Sequence, residues 1–149
     1  MYDYQRTVDK ARLWQSIQGE AFEVMQQMPL LAGFYQRHIL ERRSFNDALC
    51  SVLAEKLKDE HSGAEKWHDF LSEQMLRSGD IAQSAMQDLL CQLESNASIK
   101  DHSTPLLYFG GYQALQCYRI AHYCWHNNMQ PMALSHPAKM AKVIGSYIN

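Results

Sequence analysis

The chain has 149 residues, 46% apolar and 20% charged, with 14 basic against 16 acidic side chains and a formal net charge of −2. That is one domain's worth, long enough to remove roughly 70% of its unfolded surface from water without staples, and its near-neutral charge excludes a nucleic-acid groove or an anionic membrane surface as bulk partner. Seven Gly and four Pro are too few for the frequent turns of an all-β protein, and the composition excludes disorder, collagen and a disulfide scaffold.

Apolar side chains recur at Trp14, Ile17, Ala21, Met25 and Met28, one face of a helix over residues 7–28 that Pro29 stops. A shorter helix over 30–43 carries Leu31, Phe34, Tyr35 and Ile39. Ser44 reads as the N-cap of a third helix, with Asp47 at its third position in place of the usual Glu. Behind it Phe45, Ala48, Leu49, Val52, Leu53 and Leu57 form an i, i+3, i+4, i+7 stripe. After a polar break at 59–63, a fourth helix over 64–77 buries Trp67, Phe70, Leu71 and Met75. Ser78-Gly79-Asp80 is a turn, with Asp80 as cap of a fifth helix through Ile81, Ala85, Leu89 and Leu93. Residues 94–102 lack periodicity and read as a loop.

Thr104 and Pro105 then predict an N-cap and first helical residue. The helix from 105 to 127 is apolar almost all round, which places it in the middle of a bundle. Gly110-Gly111 inside it suggests close approach of another backbone, and the same helix suits either an oligomer seam or a core strut. Pro131 opens a last segment, where Pro137 predicts a kink or a restart capped by Ser135. The whole chain, residues 1–149, thus reads as one all-α domain, a bundle of six to eight helices with Trp14, Leu53, Leu107, Leu115 and Ile120 in its core.

Residues 1–6 have no apolar core of a secretory leader, and the longest nearly apolar stretch, 105–112, falls far short of the ~20 residues a bilayer demands. Cys50, Cys91, Cys117 and Cys124 include no C-x-x-C pair and read as reduced thiols of a cytoplasmic protein.

Candidates for chemistry are few. His122 and His126 stand at i, i+4 with Cys117 and Cys124 on the same helix, but no second cluster completes a closed four-ligand zinc site. His126 also suits a helix C-terminus for dipole reasons. Lys100-Asp101-His102-Ser103 gathers an acid, a base and a hydroxyl without a nucleophile elbow, so capping and turn chemistry is its role. Arg37, Arg42, Arg43 and residues 56–61 read as solvated faces, and the eight Met as core filler. No catalytic residue, no metal and no cofactor is predicted.

Two stretches carry a resemblance. Pro29-Leu30-Leu31-Ala32-Gly33-Phe34-Tyr35, continuing through Ile39-Leu40, Ala48-Leu49, Leu53-Ala54 and Lys56-Leu57, is similar to the family pattern P-L-L-A-S-F-Y…I-L…S-L…A-L…L-A-N-K-L. The second runs from Ser103-Thr104-Pro105-Leu106-Leu107-Tyr108 through Gly111, Ala114-Leu115-Gln116 and Tyr118-Arg119-Ile120-Ala121-His122 to Trp125. It resembles S-T-P-L-L-Y-x-K-G-F-H-A-L-Q-A-Y-R-I-A-H-W-x-W. Both are motifs of the N-terminal helical domain of serine acetyltransferase, and Leu13-Trp14 and Glu20-Ala21 also fit that family's opening helix.

The resemblance implies cysteine biosynthesis, the transfer of an acetyl group from acetyl-CoA to the hydroxyl of L-serine. In the family this happens in a second domain, a hexapeptide-repeat β-helix in which a His–Asp pair supplies the base. The helical domain joins two trimers and contributes an Asp to the serine pocket. Here that Asp position is Asn96, which can hydrogen-bond but cannot pair with an ammonium as a carboxylate does. The family's Lys and His in K-G-F-H are Gly110 and Gln113, and its catalytic Asp aligns with Tyr147. No hexapeptide repeats occur in the sequence. The expectation is a non-catalytic oligomerisation or regulatory module that associates with itself or with a full-length serine acetyltransferase; the alternative is part of a serine O-acetyltransferase whose β-helix is missing from this chain. The sequence ends Tyr147-Ile148-Asn149, where family members end in an isoleucine carboxylate that docks into O-acetylserine sulfhydrylase, so sulfhydrylase binding is expected to be weak.

Overall fold

A computed structural model describes residues 9–135. Within them lie α1 (Lys10–Gln27), a 3₁₀ turn (Pro29–Leu31), α2 (Ala32–Tyr35), a π turn (Gln36–Leu40), α3 (Phe45–Leu57), α4 (Ala64–Ser78), α5 (Ile81–Ser95), α6 (Ser103–Tyr108) and α7 (Gly110–His126). A further helical segment covers 130–135, and no strand occurs among the described residues. The all-α bundle predicted from periodicity is the observed class.

Local chemistry sets most of the boundaries. Asp9 caps α1 by accepting from the Arg12 N–H at 3.1 Å, and Pro29 opens the 3₁₀ turn that ends it. The expected helix over 30–43 is instead wound in three registers. Its π turn closes from the Glu41 N–H to the Gln36 carbonyl at 2.9 Å, and this wider turn brings Tyr35, His38 and Ile39 inward together. Ser44 caps α3 through Asp47 N–H, while the Asp47 carboxylate reaches back past the cap to Arg43 N–H at 2.9 Å. This is the expected box, displaced by one residue. Gly79 ends α4 at a φ of +74°, a conformation that favours glycine. Asp80 does occupy the N-cap position of α5, but its side chain makes no capping bond. Its φ of −115° and ψ of −15° lie outside the extended region from which a cap turns toward the N–H groups.

The core differs from the expectation in one respect that matters. The central strut is α3, where Phe45, Ala48, Leu49, Cys50, Ser51, Val52, Leu53, Ala54 and Leu57 are all buried, and its pairing with α4 is the most extensive helix contact among the described residues. Each large apolar side chain closed off there is worth roughly 1.5–3 kcal/mol. The stretch expected to lie in the middle, 105–127, is neither one helix nor central. Phe109 adopts an extended φ of −93° and ψ of 102° and divides it into α6 and α7. Gly110, a poor helix former at the break, starts the new helix. A Cβ on Gly111 would meet nothing within 4 Å, so no close backbone approach explains that glycine. Trp14, Leu53, Leu107 and Ile120 are buried as expected, whereas Leu115 is 41% exposed on the outer side of α7. Ser135 lies within the last helical segment, its hydroxyl donating to the Pro131 carbonyl at 2.9 Å; the kink or restart expected at Pro137 lies outside the described residues.

Candidate functional site

The N-terminus of α6 is held by a carboxylate from α1. Glu20 accepts from the Ser103 N–H at 2.9 Å and the His102 N–H at 3.1 Å, and pairs with His102 Nδ1 at 2.7 Å. Thr104, expected to be the cap, stands inside the helix, and Pro105 occupies its first turn, where the missing N–H does no harm. Burial opposes the charge on Glu20, but the bonds from His102 and from the two backbone N–H groups outweigh it and hold its carboxyl below the usual value. The bond to Glu20 in turn raises His102, against partial burial. Beside this junction the Tyr35 and Tyr108 hydroxyls meet at 2.9 Å and Phe34 stacks on Tyr108 with ring centres 5.9 Å apart, tying α2 to α6. Of residues 100–103, the His102 ring and the His102 and Ser103 N–H groups take part in this cap, with Glu20 as the acceptor.

The break between α6 and α7 leaves carbonyls that need partners. Gln113, buried, supplies one by donating from Nε2 to the Leu106 carbonyl at 3.1 Å. Tyr112 donates to the Ala85 carbonyl at 2.7 Å, and Arg119 pairs with Asp88 at 2.8 Å, so α7 is fastened to α5 by polar bonds as well as packing.

Asn96 lies at the C-terminus of α5, exposed, where its Oδ1 accepts from the Ser98 N–H at 3.1 Å and from the Ser98 hydroxyl at 2.6 Å. Its acceptor is engaged in a turn of its own loop. His122 and His126 are both exposed on α7, ring centres 4.5 Å apart. They stand on a groove of about 520 Å³ between the start of α5 and α7. Cys117 and Cys124 face the other way, into the core, where burial raises both thiols, Cys117 to about 12. No group of three or more metal-ligating side chains gathers among the described residues.

Two further pairs escaped sequence reasoning. His68 Nε2 meets Asp47 Oδ1 at 2.6 Å beside Arg42, joining α4 to the start of α3. Burial opposes the Asp47 charge, but the Arg43 N–H and His68 overcome it and lower its carboxyl. His38 is buried against the Ser51 hydroxyl at 2.8 Å, and desolvation takes its imidazole down to about 4, hence neutral. Partners separated by 21 and 13 residues leave no periodic signature; the only signal was a histidine at a position that a helix face would bury. Of the arginines read as solvated, Arg37 and Arg42 are in fact paired, with Glu55 at 3.0 Å and Asp47 at 3.7 Å.

The family model for the N-terminal region of serine acetyltransferase matches residues 13–117. Among curated relatives, the serine acetyltransferase of Haemophilus influenzae is 34% identical over 122 residues, 82% of this chain and 46% of its own. That of Buchnera aphidicola from Acyrthosiphon pisum is 31% identical over 124 residues, 83% and 45%. Among solved structures, a serine acetyltransferase in complex with CoA superposes with a TM-score of 0.86 at 31% identity, covering 89% of this chain and 56% of that one. A soybean serine acetyltransferase complexed with serine gives 0.85 at 26% identity, covering 91% and 56%. The chain spans about half the length of the curated relatives it matches. The helical bundle, its two signature stretches and these matches agree: the chain belongs to the serine acetyltransferase family, matching its N-terminal helical domain.

Proposed function

We propose that this chain, read as a single helical domain over 1–149, is a non-catalytic interaction module of the serine acetyltransferase family. It assembles with copies of itself or with a full-length serine acetyltransferase, in the cytoplasm, and thereby acts on cysteine biosynthesis. The observation that carries the reading is the outer face of α6 and α7. Tyr108, Leu115, Tyr118 and Trp125 are 45%, 41%, 55% and 48% exposed, respectively. Leu115, Tyr118 and Trp125, at spacings of 3 and 7 residues, line up one stripe on α7, and Tyr108 stands just before the break at Phe109. Contiguous apolar surface of this kind marks an interaction site on a protein that folds alone, and a second copy is the simplest partner.

Acyl transfer to a hydroxyl needs a free base aimed at the substrate, a contribution of roughly 10²–10⁴ in rate. The carboxylate–imidazole pairs Glu20–His102 and Asp47–His68 lie at the starts of α6 and α3 instead. Asn96 at the family's acid position hydrogen-bonds its own loop. Light scattering on the purified chain tests assembly: a mass near 17 kDa at all concentrations overturns it. A thiol-release assay with acetyl-CoA and L-serine tests the catalytic half; turnover above the blank overturns that. Weak binding to O-acetylserine sulfhydrylase belongs to the same reading. Residues 145–149 lie outside the described residues, and calorimetric titration of the chain with and without Asn149 decides it, tighter binding being expected after the deletion.

The share of the relatives that the chain covers favours a second reading, the helical part of a serine O-acetyltransferase whose β-helix is encoded further on. Asn96 then stands beside the serine pocket. Hexapeptide repeats in the DNA downstream of the Asn149 codon are the discriminating observation.

A further inference from the structure

Six histidines fall among the described residues, and four of them are committed to a protein partner. His38 bonds Ser51, His68 bonds Asp47 and His102 bonds Glu20; His61 stands 3.4 Å from the Glu60 carboxylate. The two whose ring nitrogens make no hydrogen bond or ion pair with another described residue are His122 and His126, and these two stand side by side on the last turns of α7. Their ring contacts are with each other and, for His122, with Tyr118 at 6.2 Å.

The separation of the pair is one that a shared ion can span. With a metal–nitrogen bond of about 2.0–2.1 Å, an imidazole centre lies roughly 3.2 Å from the ion, so two rings in cis positions at 90° have centres about 4.5 Å apart, against about 5.2 Å at a tetrahedral angle. The observed distance is 4.5 Å, with the ring planes 58° apart. A tetragonal ion such as nickel(II) or copper(II) accepts two imidazoles in cis positions at this separation, and imidazole is a ligand these metals take readily. The groove suits a cation in charge as well. Asp80 lies on its wall with a carboxylate that makes no capping bond to α5. Arg119, the groove's guanidinium, is paired with Asp88 at 2.8 Å.

We propose that His122 and His126 form an open two-histidine site for a borderline divalent transition metal, with water in the remaining positions. The buried thiols of Cys117 and Cys124 take no part. The site differs from the closed four-ligand zinc centre that the sequence argued against, because it needs no third protein ligand. It does not rest on the module reading above, since a single chain suffices to hold the ion, but it shares the outer face of α7 with the surface offered there for assembly. Neutral imidazoles are required, so binding weakens on acidification.

Calorimetric titration of nickel(II) chloride into the full 149-residue chain tests it, beside His122→Gln, His126→Gln and the exposed control His61→Gln, with circular dichroism to verify that each is folded. The expected result is one ion per chain, at least tenfold weaker binding for either α7 variant, unchanged binding for His61→Gln, and no heat with magnesium chloride. Equal affinity in all four proteins, or the same loss in the His61 control as in the α7 variants, overturns the site.

Discussion

Helices α3 and α7 carry similar apolar content to opposite ends. In α3 the apolar side chains point in nearly every direction and all find cover, because α4 and the π turn close over it. In α7 Tyr112, Cys117, Ile120 and Cys124 turn inward, while Leu115, Tyr118 and Trp125 turn out with His122 between them. The same kind of helix is therefore a strut in one place and a surface in the other. What separates them is the number of neighbours the chain supplies, since an apolar residue contributes to stability only where another element removes it from water.

The contrast is broken most directly by truncating one leucine in each helix. Leu53→Ala in α3, fully buried, should cost about 2–5 kcal/mol in urea unfolding. Leu115→Ala in α7, 41% exposed, should stay within about 0.5 kcal/mol of the parent chain. Equal losses would mean that α7 is covered in solution in a way that protects Leu115, as it would be in a tight assembly, and repeating the pair of measurements at high dilution separates the two cases.

The next effect concerns how the α6–α7 unit is fastened to the rest. Glu20→Gln weakens both backbone bonds to α6 and the pair with His102, and should cost about 1–2 kcal/mol, the upper part of the range for a lost cap. Its pH signature is specific. Glu20 is lowered from 4.5, so its contribution is present above that value and fades as pH falls through the lowered one. His102 is raised from 6.5, so its contribution is complete below 6.5 and is lost as pH rises through the raised one. The junction is therefore strongest between pH 4.5 and 6.5. Midpoints of unfolding at pH 5.5 and 8.5 should differ more in the parent chain than in Glu20→Gln; an unchanged difference would remove the pair from the account.

The smallest effect is a gain. Gly111 lies in the first turn of α7, without positive φ and with open space around an added Cβ. Gly111→Ala should therefore stabilise by about 0.4–1 kcal/mol in the same unfolding measurement. A loss would reveal a close approach on that face and return α7 toward the buried role that α3 plays.

Much of this molecule was written locally. Apolar spacing, the Ser44 cap and the scarcity of glycine and proline dictate helices and most of their ends, because these rest on contacts within four residues. The stripe of α3 and the two signature stretches needed no tertiary information either, and the family followed from them. The third dimension decided which helix would be central, since 105–127 looked the more buried segment until Phe109 broke it and left one side of α7 uncovered. It also decided that Glu20, 82 and 83 residues away in sequence, would cap α6, and that Asp47 and His68 would meet. Such pairs depend on where the chain folds back, and a carboxylate reads the same in sequence whether it ends in water or on the N-terminus of another helix.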